Sequence, residues 1–265
     1  MATVYIKPGS GTGTGTASDP YYYSQLSAAE TAAGNGGTIL FTDGTYSFTS
    51  NKTWDSGGNL NNMTYKSLND QGAYLLGEGA IRQLTIGSSS TTAVNIEGFK
   101  QSNIHWYGSG SLTATISKIQ HFDTISGTRG GLGLFVFIND STILNSSFVL
   151  DYSGSDRLFH TSSQPTITGC SFYLKCSSVG ANGITHFGGS LGNMKNTIFM
   201  SDNSSAIDAS VIDVTKCTNC CIFQMHSGDS SGGTNNVFAD PQFVDVANGD
   251  LRLRPTSPCI GAGTV

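Results

Sequence analysis

Three residues beyond each of four spaced phenylalanines, Phe148, Phe172, Phe199 and Phe223, stand Asp151, Lys175, Asp202 and His226. Two carboxylates, an amine and an imidazole at one recurring place are the residue types of general acid–base chemistry. If the four segments are neighbouring strands, Asp151 and Asp202 lie two strand spacings apart, roughly 9.6 Å. That is near the upper end of the ~6.5–9.5 Å between the carboxylates of inverting glycosidases. Hydrolysis of a polysaccharide is the chemistry this column points to, with Asp151, Asp202 and His226 as catalytic candidates. A plainer reading stands beside it and is favoured. Opposite charges on adjacent strands stabilise a sheet face by ~0.2–1 kcal/mol a pair. Lysine between two carboxylates also lowers their pKa values, whereas a general acid needs one raised.

Other residues invite a binding role. Tyr21, Tyr22 and Tyr23, with Trp54, have the aromatic faces that stack on sugars and are the glycan-binding candidates. Amphipathic tyrosines serve as often to pack the end of a fold, and that role is preferred here. Cys217, Cys220 and Cys221, with His226 nearby, superficially resemble half a zinc site, but no second Cys-x-x-Cys accompanies them. No metal and no cofactor is expected. Aligned on the phenylalanines, Cys170 and Cys221 fall two coils apart, roughly 10 Å, beyond disulfide reach. Buried, reduced thiols are the expectation for these cysteines.

The elements that must position these residues repeat. The phenylalanine intervals are 24, 27 and 24 residues, and Asn235-Asn236-Val237-Phe238 is a shorter echo. A second apolar strand precedes each phenylalanine: Leu134–Phe137, Leu158-Phe159, Ile184–Phe187 and Val211–Val214. Two short strands per period, joined by Gly/Ser/Asn turns with no helix between, describe a solenoid of stacked β-coils. Residues two apart in a strand share a face. The inward phenylalanines therefore share theirs with Ser146, Cys170, Thr197 and Cys221, small groups suited to a narrow coil. The position before those holds Asn145, Gly169, Asn196 and Cys220, mostly turn formers, which places a bend there.

Composition agrees with one all-β domain. The 265 residues are 37% hydrophobic and only 12% charged, with 34 glycines and a net charge of -5. The acidic balance, without a Lys/Arg cluster, argues against nucleic acid. No apolar run approaches the ~18 residues of a membrane span, so no membrane insertion is expected. The start, Met1 to Lys7, lacks the apolar core of a signal peptide, and synthesis without export is the expectation. In order, a strand at Val4–Ile6 precedes a Gly/Thr-rich loop. The segment 24–33 is the one convincing helix, capped by Ser24 or Ser27 and stopped by Gly34. The polar stretch 51–72 reads as an irregular excursion. His105, alternating with Trp106, has little support as a catalytic base.

The helix followed by Gly36-Gly37-Thr38 and the strands through Phe48 resembles the entry to right-handed parallel β-helix proteins, the pectin-lyase-like group. Ser102–Gly110 resembles a turn common in that group. Phe238–Asp245 with Asn248–Gly263 resembles the terminal segment of many of its bacterial and phage members. The resemblance implies an all-β, right-handed parallel β-helix solenoid with a short N-terminal capping helix. Residues 1–35 would form the cap, 36–238 the coils and 239–265 the closing segment of one structural domain.

Activity is another matter, since function lives in sites grafted on a fold. The Asn-Thr-Asp, Asp-Asp, Gly-His-Gly and Arg-Ile-Lys stretches of polygalacturonase-like members are absent, as is the Trp-Ile-Asp-His stretch of pectate lyases. What remains resembles bacteriophage virion β-helix proteins. That resemblance implies a capsid decoration or short tail spike, made in the host cytoplasm and homotrimeric. Its partners would be other virion proteins and a host surface polysaccharide. Two alternatives stay open: a polysaccharide-degrading glycosidase or lyase, and a non-catalytic bacterial surface β-helix protein.

Overall fold

The structure is a computed structural model. It describes residues 2–55, 61–87, 93–108, 112–123, 135–137, 141–152, 159–161, 165–176, 193–202, 214–224 and 232–264. Two compact units divide the chain, the first Met1–Gln120 with Phe135–Ser141, the second His121–Leu134 with Thr142–Val265.

In the first unit each circuit lays one strand on each of three parallel sheets. Tyr21–Tyr22, Thr3–Lys7, Thr38–Phe41, Met63–Ser67, Ala93–Glu97 and Thr113–Ser117 stack in that order to make one. Gly44–Phe48, Ala73–Gly77 and Lys100–Ser102 make the second. Lys52–Trp54, Arg82–Ile86, Ile104–Gly108 and Phe135–Phe137 make the third. The chain is thus an all-β parallel β-helix, and the crossover rule for parallel strands gives it a right hand. Thr3–Ile6 pairs residue for residue with Thr38–Phe41, so the N-terminal strand is stacked in the same sheet as the coil strands.

Alternation decides what goes inside. Met63, Tyr65 and Ser67 are buried while Thr64 and Lys66 face outward, and Ala73–Gly77 repeats the pattern. The expected excursion at 51–72 is therefore corrected: it carries the strands Lys52–Trp54 and Met63–Ser67. Its outward residues are polar, which hid the inward set. The core is aromatic, with Phe41, Trp54, Tyr65, Phe99 and Trp106 fully buried. Trp54 stacks on Tyr65 at 4.7 Å and meets Phe41 at 5.1 Å.

The helix Leu26–Ala33 follows a 3-10 turn, Tyr23–Gln25, and buries Leu26, Ala29, Glu30 and Ala33. Neither serine caps it; the Gln25 Oε1 instead accepts the amides of Gly13 and Tyr22 at 2.8 and 3.2 Å. Gly34 ends it as expected, at a φ of 67°. A β-carbon on Gly37 would collide with the Ala33 carbonyl, so the Gly-Gly-Thr entry lets helix and strand approach.

The second unit continues the same logic. Thr142–Leu144, Thr166–Thr168, Met194–Lys195 and Cys217–Thr218 form one parallel set. Ser147–Tyr152, Ser171–Cys176, Ile198–Ser201 and Cys221–Phe223 form the next. Phe148, Phe172 and Phe199 are fully buried and stacked, with centroids 4.8 and 4.6 Å apart. The fourth member is a correction. Phe199 pairs with Ile222, and Phe223 pairs with Met200 on the outer face. The turn shows why: Asn145, Gly169, Asn196 and Asn219 share a positive φ, so the fourth corner is Asn219 and not Cys220. The anchor sits one residue earlier than the phenylalanine alignment places it, and a one-residue shift turns every side chain over.

An antiparallel pair, Phe243–Asp245 with Asp250–Leu253, lies on the outer face of the second set. Phe243 and Leu251 pack on Val149 and Tyr173, outward residues that would otherwise be exposed apolar surface. Phe199→Ala is expected to cost about 3–5 kcal/mol in urea unfolding. Phe223→Ala, on the half-exposed outer face, is expected to cost less than half of the Phe199→Ala loss; equal losses would contradict this register.

Candidate functional site

The charged column comes together as an ion pair. Asp151 and Lys175 are direct cross-strand partners, and the Lys175 Nζ donates to the Asp151 Oδ2 at 3.0 Å. The Asp202 amide donates to the Leu174 carbonyl at 3.2 Å, which brings that residue into register beside Lys175. The hydrogen bond that Lys175 donates to Asp151, and the charge of that carboxylate, push the Lys175 pKa up, and the charge of Asp202 adds to this. Lysine is thus held as a cation between two acids. The other Asp151 oxygen, Oδ1, is buried without a partner among the described residues. His226 lies outside the described residues.

The aromatic candidates separate. Trp54 is 0% exposed, so it is not a sugar platform; the strand Lys52–Trp54 points it into the core. Its Nε1 donates to the Tyr23 hydroxyl at 3.1 Å. The Tyr23 ring stacks on Phe48 at 5.6 Å and stands edge-on to Tyr46 at 5.5 Å. Burial pushes the Tyr23 phenol well above its usual range. Tyr23 and Trp54 are packing, as the amphipathic nature of these rings permits. Tyr21 and Tyr22 are half-buried. Lys7 places its ammonium 4.3 Å from the Tyr22 ring centre, a cation–π contact.

Two buried polar groups escaped the sequence reading. Glu30, 3% exposed, lies under the helix. Its Oε1 accepts the Asp55 amide at 2.6 Å and the Tyr65 hydroxyl at 2.9 Å. Burial raises its pKa, and these two hydrogen bonds offset part of the rise. The signal was available, because Glu30 shares a helix face with Leu26, Ala29 and Ala33. The second group is His121 with Asp123, whose Nε2 and Oδ1 are 2.9 Å apart with both side chains sealed from solvent. They stand two apart in sequence and so point the same way, and the His121 ring lies 6.3 Å from Phe148. His105 is buried too, beside fully buried Trp106.

A cleft of about 250 Å³ opens where the closing segment meets Met200. Phe243 and Val246 supply its apolar wall, and Asp240, Gln242 and Arg254 its polar one. Those polar groups are occupied in holding the segment. The Asp240 Oδ1 accepts the Gln242 amide at 2.8 Å, and the Arg254 Nη2 donates to the Val244 carbonyl at 3.1 Å.

No family model matches the chain, and no curated protein matches it. Among solved structures it is similar to pectin methylesterase PemA from Erwinia chrysanthemi, at 10% identity and a TM-score of 0.47, over 82% of this chain and 70% of that one. A pectin methylesterase in complex with a hexasaccharide gives 10% and 0.45, over 83% and 70%. A PL6 alginate lyase in complex with a trisaccharide gives 12% and 0.44, over 89% and 51%. Among the described residues no three His, Cys, Asp or Glu side chains group to hold a metal, and no helix is long and apolar enough to cross a membrane.

The Glu30 environment makes a prediction about pH. A carboxyl whose folded pKa is raised contributes stability that is full below the unfolded value and is lost as pH rises through the folded one. Glu30→Gln keeps an oxygen to accept both hydrogen bonds and removes the titration. Wild type is expected to lose stability relative to Glu30→Gln as pH rises above the ordinary glutamate range. Parallel denaturation midpoints from acid to neutral pH would contradict it.

Proposed function

We propose that this chain is a structural protein of a bacteriophage particle surface, a capsid decoration or short spike, and that any contact with host glycan is by binding alone. The observation that carries the non-catalytic part is the pairing of surface acids with cations. Lys175 sits on Asp151. Lys118 and Lys66 approach Glu97 at 2.8 and 3.2 Å and lower its pKa, with Lys118 the larger cause. Arg252 holds Asp250 down at about 2. A general acid requires the opposite bias. Among the described residues the carboxyl with a raised pKa, Glu30, is buried on the inner face of the helix.

The virion part rests on the resemblance of Phe238–Asp245 and Asn248–Gly263 to terminal segments of bacterial and phage β-helix proteins, joined to a sequence low in charge and without the catalytic stretches of the pectin-degrading members. Low charge, 12% of residues, suits a homotrimer, because interface cores are depleted in charged groups. The half-buried faces of Tyr21 and Tyr22 remain the candidate glycan contacts. A glycosidase or lyase is the second reading, favoured by the Asp151 Oδ1, which has no partner among the described residues, and by Asp202 nearby.

The test is to incubate the purified protein with capsule and lipopolysaccharide from candidate hosts and follow reducing ends and unsaturated products. No release is expected, together with three chain masses by light scattering. Sugar release abolished by Asp151→Asn or Asp202→Asn, in variants that keep the wild-type unfolding midpoint, would establish the enzyme instead. A monomer at micromolar concentration would remove the trimer.

A further inference from the structure

The cleft beside Met200 plays no part in the function proposed for the chain, and all of its lining residues belong to the second unit. Its apolar wall is the outer rim of a packed cluster. Phe243, 6% exposed, packs with Val149, Tyr173 and Leu251, and Met200 and Val246 lie against that cluster with part of their surface open. The Asp245 Oδ1 accepts the Asn248 amide at 3.3 Å and closes the 3-10 turn Val246–Asn248. The wall is thus in place before any ligand arrives, which lowers the cost of binding.

On the polar wall, Gln242 is clamped in the left-handed region at a φ of 54°. Its backbone amide donates to the Asp240 Oδ1 at 2.8 Å, and its carbonyl accepts the Arg254 amide at 3.0 Å. Its side-chain Oε1 accepts the Thr256 hydroxyl at 2.6 Å, which leaves the donor Nε2 as the end of that amide still to be used. The bonds that hold the closing segment thus use only part of each polar group. Asp240 keeps one acceptor, Oδ2, and Arg254, whose Nη2 donates to the Val244 carbonyl, keeps Nε and Nη1. Among the described residues none of these atoms is hydrogen-bonded, and Asp240 and Arg254 form no ion pair.

We propose that this cleft binds one neutral hexose ring, either free or at the end of a glycan. A pyranose has an apolar face of C–H groups and a rim of hydroxyls, each of which donates and accepts. The apolar face lies on Phe243, Val246 and Met200. The hydroxyls donate to the Asp240 Oδ2 and accept from Gln242 Nε2 and the Arg254 guanidinium. A carboxylate only accepts and an ammonium ion only donates, so neither satisfies both kinds of partner. The cleft also holds one charge of each sign, and a neutral ligand leaves that balance undisturbed. Its volume of about 250 Å³ is below the ~300–1,000 Å³ of sites that enclose a drug-sized molecule, so it takes one ring and not a run of polymer. The site adds to the glycan-binding part of the function proposed above. It is independent of the virion part and lies in a different unit from Tyr21 and Tyr22.

The full chain is mixed in turn with the methyl α-glycosides of glucose, galactose and mannose at millimolar concentration, and saturation-transfer NMR is recorded. At least one glycoside should receive saturation, strongest on the ring protons of one face. Asp240→Asn keeps the oxygen that accepts the Gln242 amide and turns the remaining acceptor into a donor. With the unfolding midpoint unchanged, it should raise the Kd for that glycoside by about tenfold or more. Val246→Trp, which fills the cleft from its apolar wall, should abolish the transfer, and Tyr22→Ala should leave it intact. Transfer to none of the three glycosides would overturn the site, as would transfer that both cleft variants leave unchanged. Stronger transfer to glucuronate or L-leucine would overturn the choice of a neutral sugar. Loss of transfer in Tyr22→Ala alone would overturn the cleft and leave glycan binding at the tyrosines standing.

Discussion

Stacking identical coils depends on turning each corner in the same way. Between the first and second strands of a circuit the backbone passes through one residue of positive φ. In the first unit these are Gln71, Gly98 and Lys118; in the second they are Asn145, Gly169, Asn196, Asn219 and Asn235. The second-unit corners donate their amides one coil onward: Asn145 to Thr168, Gly169 to Lys195, Asn196 to Thr218 and Asn219 to Thr234, at 2.8 to 3.1 Å. The left-handed conformation costs an ordinary residue roughly 1–2 kcal/mol, which Gly avoids and Asn softens. Gly169 has a further reason, since a β-carbon there would press on the Asn145 side chain. Once the corner is placed, the period of two on either side determines every inward residue.

A solenoid also has to dispose of apolar surface that its coils do not cover. In the first unit the helix Leu26–Ala33 lays small residues on the coil, and Tyr23 fills the space beside Phe48 and Tyr46. Covering the core this way buries Glu30, which is tolerable because two donors meet its Oε1. In the second unit the strands Phe243–Asp245 and Asp250–Leu253 cover Val149 and Tyr173. The same closing segment then reaches the corner asparagines, where Thr264 is tied to Asn196 and Asn219.

The surface acids follow from parallel pairing. Adjacent coils bring like sequence positions side by side, so a column of acids would repel unless cations alternate with it. Asp151, Lys175 and Asp202 satisfy that condition, as does Glu97 with Lys66 and Lys118. Such alternation lets charged side chains line one face without like charges standing side by side.

The sequence by itself determined the repeat, the parallel coils, the helix stop at Gly34 and three members of the phenylalanine stack. All of these depend on local chemistry: turn residues, a period of two, and the size of an inward side chain. It also determined the Asp151–Lys175 neighbourhood, because parallel register converts a constant offset into a cross-strand pair. Tertiary structure decided the rest. The fourth coil sets its corner on Asn219, so Ile222 replaces Phe223 inside; two adjacent apolar residues offered equal alternatives until the neighbouring strand chose between them. Trp54 looked exposed because its sequence neighbours are polar, and only pairing with the next coil turned it inward. Glu30 and Tyr65 meet across 35 positions, and no local pattern encodes contacts made by docking one segment on another.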